Sequence, residues 1–214
     1  MADGFGVDGC KGGWVVVGHG VATKYASFAA LLALLPSDAV IAIDIPIGLA
    51  DTYETGGRSC DRAARAILRT AVFPAPVRGA LGVRTLEEAN ERGWPATKQS
   101  LGILPKIEDG DATIMPHLQA RVFEVHPELA FWAMNQEQWL ANSKHDVFGR
   151  KQRVELLKSN GVVVPARPPG VAEDDLLDAC AARWTAQRIL ADVAVTLPDV
   201  PPIDSRGLRM EIWY

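Results

Sequence analysis

Cysteine is scarce in this sequence, and its few copies stand far apart. Cys10, Cys60 and Cys180 form no C-x-x-C pair, which excludes a zinc ribbon or a thioredoxin-like motif. An odd, sparse count is what a reducing compartment favours. Long apolar runs are missing too. None approaches the roughly 20 residues that span a bilayer, so no membrane-embedded segment is expected. Met1 to Phe5 carries no basic stretch followed by an apolar one. A secretory leader is therefore not expected, and the protein is read as cytoplasmic. Charge of one sign is not in excess either. The net charge of −4 argues against a nucleic-acid binder with a broadly basic surface, while leaving room for a local basic groove. There is no internal repeat and no low-complexity tract.

What is there is material for a core. Of 214 residues, 48% are hydrophobic, enough for one large domain, or one domain with a big insertion. Residues 5–8, 14–17 and 21–25 read as three strands, because β-branched runs are punctuated by glycine turns. Residues 28–35, rich in leucine and alanine and closed by Pro36, predict a helix, and 39–45 a second buried strand. The opening is thus β-β-β-α-β. It predicts an α/β fold whose five-stranded mixed sheet runs in the order 3-2-1-4-5, with strands one to three antiparallel and one and four parallel. Residues 50–118 differ in character, with Gly56-Gly57, Phe73-Pro-Ala-Pro76 and Trp94-Pro95. Two or three short helices fit there, the clearest at 60–69, and the stretch is read as a cap or insertion in a single domain spanning 1–214. A strand at 121–125, a helix opening at 128, a helix at 150–159 ended by Gly161 and a long helix at 173–191 follow. On that last helix Leu177, Cys180, Ala181 and Trp184 share one face. Residues 162–164 form a short strand or an extended linker. The final segment, 207–214, is extended and carries no evident role.

One charged residue needs explaining. Val40-Ile-Ala-Ile-Asp44-Ile is otherwise the continuous apolar run of a strand covered on both faces. A carboxylate there either ends the strand or is buried at a cost of roughly several kcal/mol, and Pro46 favours the strand end. Asp8 ends the first strand in the same way. Strand, helix and parallel strand form a right-handed crossover in one sheet. As neighbours the two strands stand about 4.8 Å apart, and their carboxylates nearly touch. Like charges that close need a proton or a cation between them, and Mg²⁺ and Mn²⁺ take such all-oxygen sites. Asp175 and Asp178, three apart, share a helix face, and Asp174 points elsewhere. Carried past the strand ends, that pair completes a site of four carboxylates. Two metal ions about 4 Å apart in such a site activate a water and stabilise the leaving oxygen of a phosphodiester.

Each acid also has a plainer reading. Asp8 before glycines is a turn former. Asp174 and Asp175 at a helix start are cap and dipole partners. Neither reading covers Asp178, one turn inside the helix beside apolar neighbours, and Asp44 is the hardest to dismiss.

Gly6-Val-Asp8-Gly-Cys-Lys-Gly-Gly-Trp14, Ile43-Asp44-Ile-Pro and Asp175-Leu-Leu-Asp178-Ala together resemble the ribonuclease H-like superfamily, and in acidic pattern its RuvC family of Holliday-junction resolvases. That family has an aspartate ending the first strand, an acid ending the fourth and an Asp-x-x-Asp-Ala helix near its end. Over nearly its full length the chain also resembles an uncharacterised bacterial family of predicted ribonuclease H-like nucleases. The matching stretches include Val72-Phe-Pro-Ala-Pro-Val-Arg-Gly79, Gly102-Ile-Leu-Pro-Lys106, Glu124-Val-His-Pro-Glu128 and Gly207-Leu-Arg-Met-Glu-Ile-Trp-Tyr214. The resemblance implies the fold, and a metal site of Asp8, Asp44, Asp175 and Asp178 holding Mg²⁺ or Mn²⁺. One departure bears on metal spacing: the resolvases' fourth-strand acid is a glutamate, and Asp44 is one methylene shorter.

Other residues offer supporting chemistry. Glu124 and His126 share a strand face by the two-residue period and are candidates for a further ligand and a general base. Alternatively, His126 caps a helix that Pro127 begins and Glu128 charges. Arg62, Arg65 and Arg69 recur at helical spacing, with Arg58, Arg78 and Arg84 nearby and only Asp61 offsetting them across 58–84. Such a row is usually a solvated face. It is also what a polyanionic substrate needs beside a metal site, since arginine grips phosphate with two prongs. Lys98, Lys106 and Lys11 are candidates for the same task.

Three functions compete. The first is a divalent-metal-dependent nuclease or phosphodiesterase acting on nucleic acid or a phosphorylated small molecule. The second is a non-catalytic binding module on the same fold. The third is a kinase-like phosphotransferase, because the sugar-kinase and actin-like group opens on a similar Asp-Gly-x-x-x-Gly loop. That group closes two copies of the fold over ATP, and 214 residues hold one. The sequence carries no signal for the oligomeric state.

Overall fold

The computed structural model describes residues 3–69 and 72–214. In chain order they run β1 (Gly4–Cys10), β2 (Gly13–Gly18), β3 (Val21–Tyr25), α1 (Phe28–Leu34) and β4 (Val40–Ile43). Then follow α2 (Ser59–Leu68), α3 (Leu86–Glu91), α4 (Lys98–Thr113), β5 (Val122–Glu124), α5 (Pro127–Met134), α6 (Val147–Ser159) and α7 (Glu173–Leu190). Two short strands, β6 (Thr196–Leu197) and β7 (Ile212–Trp213), make a small separate sheet. The main sheet has the expected order β3-β2-β1-β4-β5. β1 runs antiparallel to β2 and parallel to β4, and β4 runs parallel to β5.

The chain forms two compact units. The first comprises Met1–Asp44, Arg121–Val195 and Trp213–Tyr214, and the second Ile45–Ala120 and Thr196–Ile212. The stretch expected as an insertion over 50–118 therefore has wider bounds, and most of the C-terminal segment belongs with it.

In the first unit the sheet is covered on both faces. Alternation along the strands sends Gly4, Gly6, Asp8, Val40 and Ala42 to one face, where α7 lies with Ala182 and Ala186 packed on Val40 and Ala42. Phe131 and Met134 of α5, Leu157 of α6, and Leu177, Cys180 and Ala181 of α7 extend that core over Val15 and Val17. Each of the large side chains contributes roughly 1.5–3 kcal/mol by leaving water. On the other face Phe28 of α1 meets Trp14 edge-on, with centroids 5.7 Å apart. Ser27 caps that helix by accepting from the Ala30 N–H. Gly161 takes the left-handed conformation after α6. Residues 162–164 are an extended linker without strand pairing.

Among its described residues the second unit contains three α-helices, one of them longer than the sequence suggests. α4 runs for 16 residues straight through Pro105, behind a Thr97–Ser100 capping box. Proline removes one helical hydrogen bond and reads as a breaker, which hides this helix from a pattern search. Trp94 and Leu104 centre one cluster of its core, and Leu49, Ala75 and Ile107 another.

Candidate functional site

Strand register brings the first two acids together. Val7 pairs with Ile43, and the Asp44 N–H donates to the Val7 carbonyl at 3.0 Å. Asp8 and Asp44 thus follow at one level of neighbouring parallel strands and lean to the same face. Asp8 is buried, and its Oδ1 accepts the Gly9 N–H at 2.7 Å. Asp8 sits within β1, before the turn at residues 11–12, so its carboxylate does not build that turn.

The third acid arrives on α7, and glycine lets it come close. A Cβ on Gly6 would lie 2.0 Å from the Ala179 carbonyl oxygen and 2.1 Å from the Arg183 nitrogen. The helix rests directly on the β1 backbone, two residues from Asp8 on the strand and one from Asp178 on the helix. Asp178 is 3% exposed. Asp175, one turn earlier and partly exposed, accepts the Ala172 N–H as a cap, yet it also acts on Asp8 through its charge.

Sequence reading missed the cation. Lys144, in the loop between α5 and α6, donates from Nζ to Asp178 Oδ2 at 2.7 Å. Asp178 Oδ1 is buried without a hydrogen-bond partner. Beneath this loop lies a second pair that the sequence did not disclose. Arg153, 3% exposed, donates from Nη2 to both Glu128 oxygens at 2.8 and 2.9 Å and from Nε to Oε1 at 3.3 Å, and its Nη1 donates to the Asn142 and Gly149 carbonyls. A lysine in an aperiodic loop and an arginine inside a helix carry no pattern that marks them as partners of distant acids.

The electrostatics follow from this crowding. Burial and then the charges of Asp44, Asp178 and Asp175 raise Asp8 well above the ordinary carboxyl range, with Lys144 opposing. Burial and then Asp178 push Asp44 up to about 8, with Lys144 opposing and Glu124 and Glu128 adding. Asp44 keeps some solvent contact. Burial also raises Asp178, against the pull of Lys144. For Lys144 burial acts downward, but Asp178, Asp44 and Asp8 outweigh it and secure the ammonium.

The supporting residues fall elsewhere. Glu124 is level with Ile43, so the pleat turns it to the face opposite Asp8 and Asp44, and its effect on Asp44 is through space. His126 stands at the N-cap of α5 without a side-chain cap bond, followed by Pro127 in the first turn. In the second unit Arg62 donates to Glu54 and the Gly57 carbonyl. Arg65 donates to the Gly56 and Val72 carbonyls. Arg78 pairs with Asp111 and Asp204, and Arg84 with Glu108. Arg58 is buried on Asp61. These arginines fasten their own unit. Arg69 closes α2, Lys98 begins α4 and is exposed, Lys106 is half-buried within α4, and Lys11 is exposed.

As the side chains stand, no group of three or more His, Cys, Asp or Glu residues among those described is arranged to hold a metal ion. The donor chemistry nonetheless fits one. The cluster is all oxygen, as Mg²⁺ and Mn²⁺ prefer. It includes an unpartnered buried oxygen on Asp178, and burial and then neighbouring carboxylates raise the carboxyls of Asp8 and Asp44 despite Lys144.

Fold and site together define an α/β protein that gathers carboxylates on neighbouring parallel strands beneath a helix: Asp44 stands just past β4, and Asp8 lies inside β1, which runs on to Cys10 in its ladder with β2 rather than ending at Asp8. The chain belongs to the family described as protein of unknown function (DUF429), whose model matches residues 6–203. No curated protein and no solved structure matches it. Among the described residues no helix is long and apolar enough to cross a membrane.

Proposed function

We propose that the protein is a divalent-metal-dependent phosphodiester hydrolase of the ribonuclease H-like type, acting on a nucleic acid or a phosphorylated small molecule. The observation that carries this reading is that Asp8 and Asp44, level on neighbouring strands, both feel the charge of Asp178, whose buried Oδ1 lacks a hydrogen-bond partner. Asp8 and Asp44 would hold Mg²⁺ or Mn²⁺ from the strands and Asp178 from the helix. The bound ion supplies Lewis acidity and lowers the pKa of a water. The protein's part is to fix the carboxylates: the strand ladder sets Asp8 against Asp44, and the close approach at Gly6 sets Asp178 against both. Cys10, Cys60 and Cys180 are buried and in no disulfide, which accords with the cytoplasmic setting expected from the sequence.

The test is calorimetric titration of Mn²⁺ into the full chain, followed by cleavage assays on single-stranded, duplex and branched DNA, on RNA and on a simple phosphodiester ester. Metal-dependent cleavage that disappears in Asp44→Asn supports the reading. Absence of metal binding removes it.

A second reading has one observation in its favour. The Lys144–Asp178 pair already neutralises part of the cluster, as a non-catalytic module would require. Mn²⁺ binding separates the two.

A further inference from the structure

We propose that Lys144 is a displaceable internal counter-ion: its ammonium holds Asp178 until a divalent cation takes that carboxylate, and metal loading then releases it to solvent. This rests on the metal reading above and concerns how the site is kept before loading.

Two ion pairs stand side by side in the first unit, and their difference carries the argument. Arg153 and Glu128 are built to stay. Both carboxylate oxygens accept, the guanidinium is 4% exposed at its side chain, and its remaining prong reaches two carbonyls. Lys144 and Asp178 are joined by a single hydrogen bond. Only one oxygen accepts, the other has no partner, and the lysine side chain is 34% exposed. A permanent clamp this deep would satisfy both oxygens, because a buried acceptor left without a partner is destabilising. Asp178 keeps one oxygen unspent.

The backbone beneath Lys144 is held, so the side chain can move alone. The Asn142 carbonyl accepts from Arg153. A Cβ on Gly149 would lie 1.9 Å from the Ser143 carbonyl oxygen, so α6 presses on the loop there. Asp146 caps α6 by accepting the Gly149 N–H. Between these fixed points Lys144 carries a compact charge on a flexible four-carbon stem. An ammonium and a divalent cation cannot share one carboxylate without repelling each other. The divalent ion carries the greater charge and draws on Asp8 and Asp44 as well. As it stands, Asp178 Oδ2 is turned toward Lys144.

The experiment is acylation of the full-length chain with an amine-reactive reagent, read residue by residue by mass spectrometry with and without Mg²⁺, beside calorimetric titration of the same ion. Lys144 should react severalfold faster once Mg²⁺ is bound, while exposed Lys11 and Lys158 stay unchanged. In Asp178→Asn, Lys144 should be reactive from the start and indifferent to Mg²⁺. Lys144→Met should bind Mg²⁺ more tightly than the wild type. If Mg²⁺ binds by calorimetry and Lys144 stays protected, the displacement is wrong and the proposed function stands. If Lys144→Met binds more weakly, Lys144 aids the metal and the displacement is wrong again. If no divalent ion binds, both fall. Should Lys144→Met fail to fold, wild-type acylation decides alone.

Discussion

The carbonyl oxygen of Ala179 occupies the space where a side chain on Gly6 would begin: a Cβ there would lie 2.0 Å away. Strand and helix touch backbone to backbone, and the helix cannot retreat without carrying Asp178 away from Asp8. Gly6→Ala should therefore act on fold and site together. Overpacking costs typically about 1–3 kcal/mol, and contact with backbone rather than a flexible side chain puts this case at the upper end. Thermal melts should show a lowered midpoint, and calorimetry a weakened response to Mn²⁺. A variant as stable as the wild type would show that α7 has room to shift.

The metal-free protein should lose stability as pH rises. Burial, and after it Asp178, lift Asp44 to about 8 in the folded chain, whereas an unfolded aspartate titrates near 3.9, roughly. Between those values the folded form keeps a proton that the unfolded form has released. Folding free energy therefore falls through that window and levels off above it. Asp44→Asn cannot titrate. It should be as stable as the wild type or more so at neutral pH, with a flatter profile. Denaturant midpoints measured in chelator across that range check both statements; an easily unfolded Asp44→Asn would make Asp44 a structural residue.

Divalent ions should reverse that penalty. A ligand at a hundredfold its dissociation constant stabilises by about 2.7 kcal/mol, so Mn²⁺ should raise the melting midpoint and chelator should restore it. Asp178→Asn, which replaces the unpartnered oxygen's carboxylate, should lose most of the effect. An equal Mn²⁺ shift in that variant would place the ion elsewhere.

The second unit should depend on Asp204. Its carboxylate accepts the N–H groups of Leu49, Arg206 and Leu208 at 2.8–3.0 Å and pairs with Arg78. Burial would raise its pKa, but those hydrogen bonds hold it below the ordinary value. The stability it adds is present above the unfolded aspartate's pKa and is lost as pH falls through the lower folded one. Removing one partner of a buried pair costs about 3–5 kcal/mol, so Asp204→Ala should loosen this unit severely. Hydrogen exchange at the Leu49 and Leu208 amides reports it directly, and unchanged protection there would count against the assignment.

Much of this was legible in the chain itself. Glycine-punctuated β-branched runs marked β1, β2 and β3 at nearly their observed bounds. The apolar run interrupted by Asp44 marked a strand end, because a period of two and the cost of burying a charge are local properties. Asp178 stood out on an apolar helix face for the same reason. The second unit was harder to read. α4 runs through Pro105, and arginines that pattern alone cast as a phosphate grip spend their donors on carbonyls and carboxylates of their own unit.

The sequence by itself determined the strands and helices of the first unit, their order in the sheet, and Asp44 just past the end of β4. Residues two, three or four apart meet by the geometry of strand and helix alone. Only the tertiary structure decided that Lys144 reaches Asp178 across 34 residues, and Arg153 reaches Glu128 across 25. It also decided that Glu124 leans away from Asp8, through a register of one residue between β4 and β5. Such contacts depend on where a loop and a helix come to rest on the sheet, and no local period in the chain encodes that distance.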